Sequence, residues 1–347
     1  MSRIIQLDQQ TANSIAAGEV VERPSSVVKE LIENALDAGA SVVTTEINQG
    51  GIQSIFVTDN GCGMDESDAL LAFGRHATSK LKEIDDLATL MTMGFRGEAL
   101  ASIAAVSRVT LETRESGSTQ GTRVIIEGGA LLEQQPIGCS EGTRIRVENL
   151  FYNVPARFKF LRKDSTEAGY VADVVEKMAL ARPDVSFRLI SNQQELLHTP
   201  GNNDLHSTLY AVLGKQTAQG CLPVEATEGP VSVSGLIGRP DITRGNRGQQ
   251  CVFVNGRLIR SRIITAALDE AYKTRLMKGR YAIAVLFLSI PTRLVDVNVH
   301  PQKLEVRFWN DSEVFRCVYH AVQSALQAGS GIAPELEKPD KEPIKEE

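Results

Sequence analysis

Residues 20–40 read VVERPSSVVKELIENALDAGA, and the reading of this stretch decides the fold. Pro24, followed by Ser25 and Ser26, opens a helical pattern that stops at Gly39, in keeping with helix-end chemistry. At about 100° per residue, Val28, Leu31, Ile32, Ala35 and Leu36 fall on one side as a core-facing stripe. Glu30, Glu33, Asn34 and Asp37 share the other side. Glu30 and Asn34 are four apart and so adjacent on the helix surface, whereas Glu33 lies about 100° from Asn34, so geometry favours Glu30 as Asn34's working partner. A carboxylate beside a carboxamide suits a site where the amide oxygen helps hold Mg²⁺ and the carboxylate takes a proton from water. Taken alone, the helix reads more simply as a solvated acidic face, and it is the segments that follow that change the balance.

Working outward, Val42 to Ile47 and Ile52 to Thr58 are β-rich runs joined across Gly50 and Gly51, the pattern of a hairpin. Asp65 to Phe73, Asp85 to Met91 and Glu98 to Val106 have helical spacing, and Val106 to Thr113, Thr122 to Glu127 and Thr143 to Val147 have strand character. The expected class is α+β with an antiparallel or mixed sheet. A turn cluster at Pro200, Gly201, Asn202 and Asn203 precedes a fresh series: Val231 to Ile237, Cys251 to Val254, Ile263 to Tyr272, Ile283 to Ile290, Val295 to Val299 and Val314 to Leu326. We therefore expect domains at 1–203 and 204–330, within a chain of 347 residues. From Gly329 the sequence is rich in Pro, Lys and Glu, the composition of a flexible tail or linker over 331–347.

Two further segments bear on chemistry. Asp59-Asn60-Gly61-Cys62-Gly63 follows a strand, and its Asp is an acceptor-only anchor for an exocyclic amine or the start of an ordinary strand-end turn. Gly94-Phe95-Arg96-Gly97-Glu98-Ala99-Leu100 places two glycines and an Arg just before a helix start, where backbone N–H groups and the dipole favour phosphate. The familiar nucleotide signatures are absent: Gly214-Lys215 is followed by Gln216 and has Leu209 where a P-loop needs Gly, and Glu66 stands where a dinucleotide fingerprint needs its third Gly.

Taken in order, Glu30-x-x-x-Asn34, Asp59-x-Gly61-x-Gly63, Gly94 to Leu100 and Gly142-Thr143 resemble the motifs of the GHKL ATPases, the group that includes gyrase B, heat-shock chaperone ATPases, histidine kinases and MutL. Within that group, IAAGEVVERPSSVVKELIENALDAGA, RHATSK, GFRGEALASI, LFYNVPAR and VDVNVHPQKLEVRF resemble the bacterial MutL mismatch-repair family, from about Ile4 to Gln327. The resemblance implies a Bergerat-type α/β sandwich with a mixed sheet, then a smaller α/β domain of ribosomal-protein-like type. It also implies ATP and Mg²⁺ as cofactors, with Glu30 as general base and Asn34 as the Mg²⁺ ligand. Asp59 would receive the adenine amine with Thr143 beside it, and Gly61 and Gly63 would make room for the nucleotide. Thr78, Ser79 and Lys80 would border the nucleotide, Gly94, Phe95, Arg96 and Gly97 would form the lid and phosphate loop, and Lys303 would reach the γ-phosphate from the second domain. ATP would order the lid and an N-terminal arm (about 1–20), dimerise the chain into a DNA clamp, and reset it by slow hydrolysis. Partners implied are a mismatch-recognition protein, a strand-nicking endonuclease and a helicase. A type II topoisomerase-like ATPase subunit, a histidine kinase, and a nucleotide-gated DNA-binding protein without turnover remain as alternatives.

A formal net charge of −6 argues against a wholly basic nucleic-acid binder. Residues 239–280 nevertheless hold ten Lys or Arg against three acids, and Arg157, Lys159, Arg162 and Lys163 cluster after Pro155, a segregation that suits sequence-independent phosphate contact. Resemblance singles out Arg262 as a DNA contact, with Lys159 and Arg162 as further candidates. Five scattered cysteines without a Cys-x-x-Cys pair point to reduced thiols, and the absence of a secretory signal or an apolar span points to a cytoplasmic, nucleoid-associated protein without a membrane partner.

Overall fold

The computed structural model describes residues 21–74, 98–296 and 306–329. The chain divides into two compact units, Met1–Gln219 and Gly220–Glu347. In the first, helix α1 (Pro24–Asp37) begins with proline in its first turn, where the missing N–H has no helical partner to lose. It ends in a Schellman motif: Ala40 N–H reaches Ala35 O at 3.1 Å, Gly39 N–H reaches Leu36 O at 3.0 Å, and Gly39 takes φ +76°. The expected stripe of Val28, Leu31, Ile32, Ala35 and Leu36 is buried, with Val27 added. Burying each of its larger aliphatic side chains contributes about 1.5–3 kcal/mol.

Strands β1 (Val42–Asn48) and β2 (Ser54–Asp59) form the expected hairpin around Gly50 and Gly51. They join β3 (Arg108–Arg114), β4 (Gly121–Glu127), β5 (Ala130–Ile137), β6 (Gly142–Glu148), β7 (Ser186–Ser191) and β8 (Gln194–His198) in one sheet of order β5-β4-β3-β6-β2-β1-β7-β8. Only the β1–β7 pair is parallel, so the sheet is mixed. Side chains at alternate positions, such as Val43, Ile55, Val57, Val109, Leu111, Ile145 and Val147, share one core with α1. Helices α2 (Glu66–Leu71), α3 (Ala99–Ala105), α4 (Pro155–Phe158), α5 (Asp164–Ala181), α6 (Leu205–Leu213) and α7 (Lys215–Gln219) complete the described part of this unit.

The unit boundary falls after Gln219 rather than at the Pro200–Asn203 turns. Those turns only lead into α6, which Asp204 caps by accepting from His206 and Ser207 N–H groups, and Ala211 and Val212 pack against the first core. In the second unit, β9 (Cys221–Glu228), β10 (Val231–Gly238), β12 (Gln250–Val254), β13 (Arg257–Ile259) and β15 (Ala284–Ser289) make a sheet of order β13-β12-β15-β10-β9. Short ribbons pair β11 (Thr243–Arg244) with β14 (Tyr281–Ala282) and β16 (Val295–Asp296) with β17 (Arg307–Phe308). Helices α8 (Arg262–Tyr272) and α9 (Asp311–Gly329) pack on the five-stranded sheet through Ile264, Leu268, Val314, Val318 and Val322. Gly329, where the sequence suggested a tail, is the last residue of α9; the stretch beyond it lies outside the described residues.

Candidate functional site

On α1, Glu30, Asn34 and Ala38 follow one another at four-residue steps and so line one face. The Glu30 side chain is 26% exposed and its Oε1 stands 3.5 Å from Lys29 Nζ. Asn34 is half-buried. Glu33 departs from the polar face expected of it: its side chain is only 9% exposed and forms an ion pair with Lys29 at 2.9 Å. Its offset from Asn34 around the helix sets it apart from the face that Glu30 shares, and Lys29 supplies the countercharge that a buried carboxylate needs. Burial alone would pull the Lys29 ammonium down, but Glu33 and Glu30 together hold it above its ordinary value.

The Glu30 face of α1 leads directly to the Asp59 loop. Cys62 N–H donates to Ala38 O at 3.0 Å, tying the loop to the helix end. Asp59, Thr143 and Thr113 lie side by side across β2, β6 and β3, at the same pleat parity as the buried residues of those strands. Asp59 Oδ1 accepts from Gly61 N–H at 2.9 Å. Burial pushes the Asp59 carboxyl above its ordinary value, against the opposing pull of the Gly61 and Thr143 backbone N–H groups. Thr113 Oγ1 donates to Gly142 O at 3.1 Å and accepts from Met64 N–H at 2.9 Å. The Thr113 and Thr143 hydroxyls also stand 3.1 Å apart, and either can be the donor between them. Asn60 locks the same loop to β1, accepting from the Ser41 and Val42 N–H groups at 2.9 and 2.8 Å.

Gly61 and Gly63 serve chain packing here. A Cβ at Gly61 would sit 2.8 Å from Ala38 Cβ, and one at Gly63 would sit 2.0 Å from Arg114 O, with φ already at +69°. Each glycine thus lets the loop pass close to the end of α1 or the end of β3. Gly63→Ala is accordingly expected to lower the melting temperature, with the left-handed backbone alone costing about 1–3 kcal/mol and the clash adding to it; thermal melts read by circular dichroism check this. Thr113, Asn60 and the burial of Glu33 were missed by sequence reasoning. Asn60 had a usable signal, since an Asn in a strand-end turn commonly accepts nearby backbone N–H groups.

Thr78, Ser79, Lys80, Gly94, Phe95, Arg96, Gly97, Lys303 and the N-terminal arm lie outside the described residues. Lys159 and Arg162 are exposed beside α4, on the first unit. Arg262 is exposed at the first position of α8, behind Ser261, whose Oγ accepts from Ile264 N–H at 3.3 Å. Each of the three acids in the basic window is paired within it: Asp241 with Arg239, Asp269 with Arg247 and Glu270 with Lys273. Ten cations against three acids leave this window with a net charge of +7. Among the described residues no helix is long and apolar enough to cross a membrane, and no group of three or more His, Cys, Asp or Glu could hold a metal ion.

Known proteins match both units. The family described as "Histidine kinase-, DNA gyrase B-, and HSP90-like ATPase" matches residues 22–131, and "DNA mismatch repair protein, C-terminal domain" matches residues 209–327. The DNA mismatch repair protein MutL of Caldanaerobacter subterraneus subsp. tengcongensis is 46% identical over 336 residues, covering 97% of this chain and 57% of that protein. MutL of Agathobacter rectalis is 49% identical over 315 residues, covering 91% of this chain and 48% of its own length. The chain thus spans about half the length of the curated relatives it matches. Among solved structures, the Aquifex aeolicus MutL ATPase domain complexed with ADP is 28% identical, with a TM-score of 0.59 over 78% of this chain and 93% of that one. The N-terminal domain of a DNA repair protein, 23% identical, shares the fold at a TM-score of 0.79 over 93% of this chain and 100% of that one. With a GHKL-type ATPase domain in the first unit and mismatch-repair sequence in the second, the chain belongs to the MutL family of DNA mismatch repair proteins.

Proposed function

We propose that the chain is a slow, Mg²⁺-dependent ATPase that serves as a DNA mismatch-repair switch. The observation that carries this reading is the continuous line from Glu30 through Asn34 and Ala38 to the Asp59 loop, tied by the 3.0 Å bond from Cys62 N–H to Ala38 O. From Glu30 to Ala38 the helix rises roughly 12 Å at about 1.5 Å per residue, a span on the scale of an extended nucleoside triphosphate. Asp59 accepts the adenine amine, and the Thr143 hydroxyl stands alongside. At the far end of the line Glu30 takes the proton of the attacking water. Asn34 offers a carboxamide oxygen of the kind Mg²⁺ accepts, and a metal held mostly by phosphates and water needs few protein ligands. When bound there, Mg²⁺ would neutralise phosphate charge as a Lewis acid. Lys303 and the Gly94 to Gly97 loop complete the phosphate end in this reading.

The switch has two outputs. ATP dimerises the chain around DNA, and the resulting state engages the mismatch-recognition, endonuclease and helicase partners of the family. Phosphate release per molecule that rises with protein concentration, at saturating Mg·ATP, supports dimerisation-gated turnover; a rate independent of concentration, with no dimer in sedimentation, overturns it. DNA binds through Arg262, Lys159 and Arg162, of which Arg262 stands at the positive end of the α8 dipole, where phosphate is favoured. Arg262→Glu is expected to weaken duplex binding at low salt by about ten-fold or more and to reduce its salt dependence, with ATPase measured without DNA unchanged. Equal affinities in a filter-binding titration would remove Arg262 from the interface.

A further inference from the structure

Between β6 and α5 the chain runs LFYNVPARFKFLRK, residues 150–163, and its apolar side chains divide into two sets. Leu150 and Phe151 are buried, and Val154 and Leu161 pack against the first core. Tyr152, Phe158 and Phe160 are exposed, Phe160 to 82%. The backbone that displays them is tethered. Phe160 N–H donates to Arg157 O at 2.9 Å, Leu161 N–H donates to Phe158 O at 3.2 Å, and the buried Glu167 accepts Arg162 N–H through Oε1 at 2.9 Å. The rings are thus presented from a fixed scaffold whose anchors are Leu161 and Glu167. Exposed cations interleave with them: Lys159 separates the two phenylalanines, and Arg162 and Lys163 follow. None of these three forms an ion pair among the described residues.

We propose that residues 152–163 are a platform for single-stranded DNA, with Phe160 and Phe158 stacking on unpaired bases and Lys159, Arg162 and Lys163 holding the intervening phosphates. The inference rests on the DNA-binding reading above and adds the ligand's form. An apolar protein partner would call for contiguous apolar area, whereas here flat rings alternate with cations, as bases alternate with phosphates along a strand. In a duplex the base faces are already stacked, and a side-chain ring has none to meet.

The test measures anisotropy of labelled oligo(dT) and of a duplex of equal length at low salt, with the full chain and its Phe160→Ala, Phe160→Leu and Phe158→Ala variants. Phe160→Ala is expected to bind oligo(dT) about ten-fold more weakly and the duplex within about two-fold of wild type, and Phe160→Leu, apolar but without a ring, is expected to behave like Phe160→Ala. Because Trp309 is the sole tryptophan, a Trp309→Phe, Phe160→Trp double variant reports from the platform alone, and its fluorescence should be quenched by oligo(dT). Full oligo(dT) affinity in Phe160→Leu, equal losses on both DNAs, or no quenching would overturn the platform while leaving DNA binding in place. A wild-type chain that binds neither DNA would overturn the DNA-binding reading and the platform with it.

Discussion

Glu30→Ala is expected to lower steady-state ATP hydrolysis by about 10²–10⁴-fold, the usual contribution of a positioned general base, while ATP binding stays within a few-fold of wild type. The expectation follows from position. Glu30 is partly exposed on the face that continues through Asn34 to the Asp59 loop, so water can reach it, whereas Glu33 is folded under and spent on Lys29. The two carboxylates therefore fail differently. Glu33→Ala removes the near partner of Lys29 and is expected to lower the melting temperature, with turnover per folded molecule kept within a few-fold. Phosphate-release assays paired with nucleotide binding by calorimetry separate the cases. Wild-type turnover in Glu30→Ala would remove Glu30 from the chemistry. If wild type and variant both bind ATP and neither turns it over, the nucleotide-gated binder becomes the better account.

How far such assignments could be read without coordinates depended on the range of the interactions involved. Helix α1 and the β1–β2 hairpin were legible because a 3.6-residue stripe, a proline start, a glycine stop and a two-glycine turn are local signals, and each survives in the fold. Helix α5 was not named, although it is 18 residues long. Its stripe is interrupted by polar residues, and a buried Glu167 stands where an apolar side chain would have marked the face. Strand β5 was missed because Leu131 and Leu132 are adjacent and both exposed on an edge strand, which erases alternation. At the site, Asp59, Thr143, Glu30 and Asn34 were carried by motifs. Thr113 was not, because its role depends on the β3–β6 register, which brings it to Thr143 from 30 residues away.

Asp59→Asn is expected to weaken ATP binding by on the order of 10²-fold, since it both deletes an acceptor for the amine and turns an N–H₂ toward it, each effect worth about 1–3 kcal/mol. The same substitution is expected to leave the melting temperature at pH 7 equal to wild type or higher. Burial raises the Asp59 carboxyl above its ordinary value, so the folded chain holds that proton more tightly than the unfolded chain does. Stability is therefore lost as pH rises from the ordinary aspartate range through the raised value, and at neutral pH the ionised group is a net burden that a neutral amide removes. Binding runs the other way: only the ionised carboxylate accepts the amine fully, so wild-type affinity should fall on acidification sooner than an ordinary aspartate would allow. The Asn variant should lack this component, and subtracting its pH profile cancels the titration of the ATP phosphates. A residue whose removal abolishes binding yet spares or improves stability is kept for its ligand. If Asp59→Asn instead melts well below wild type and binds ATP unchanged, Asp59 is a structural turn residue and the adenine anchor must be sought elsewhere.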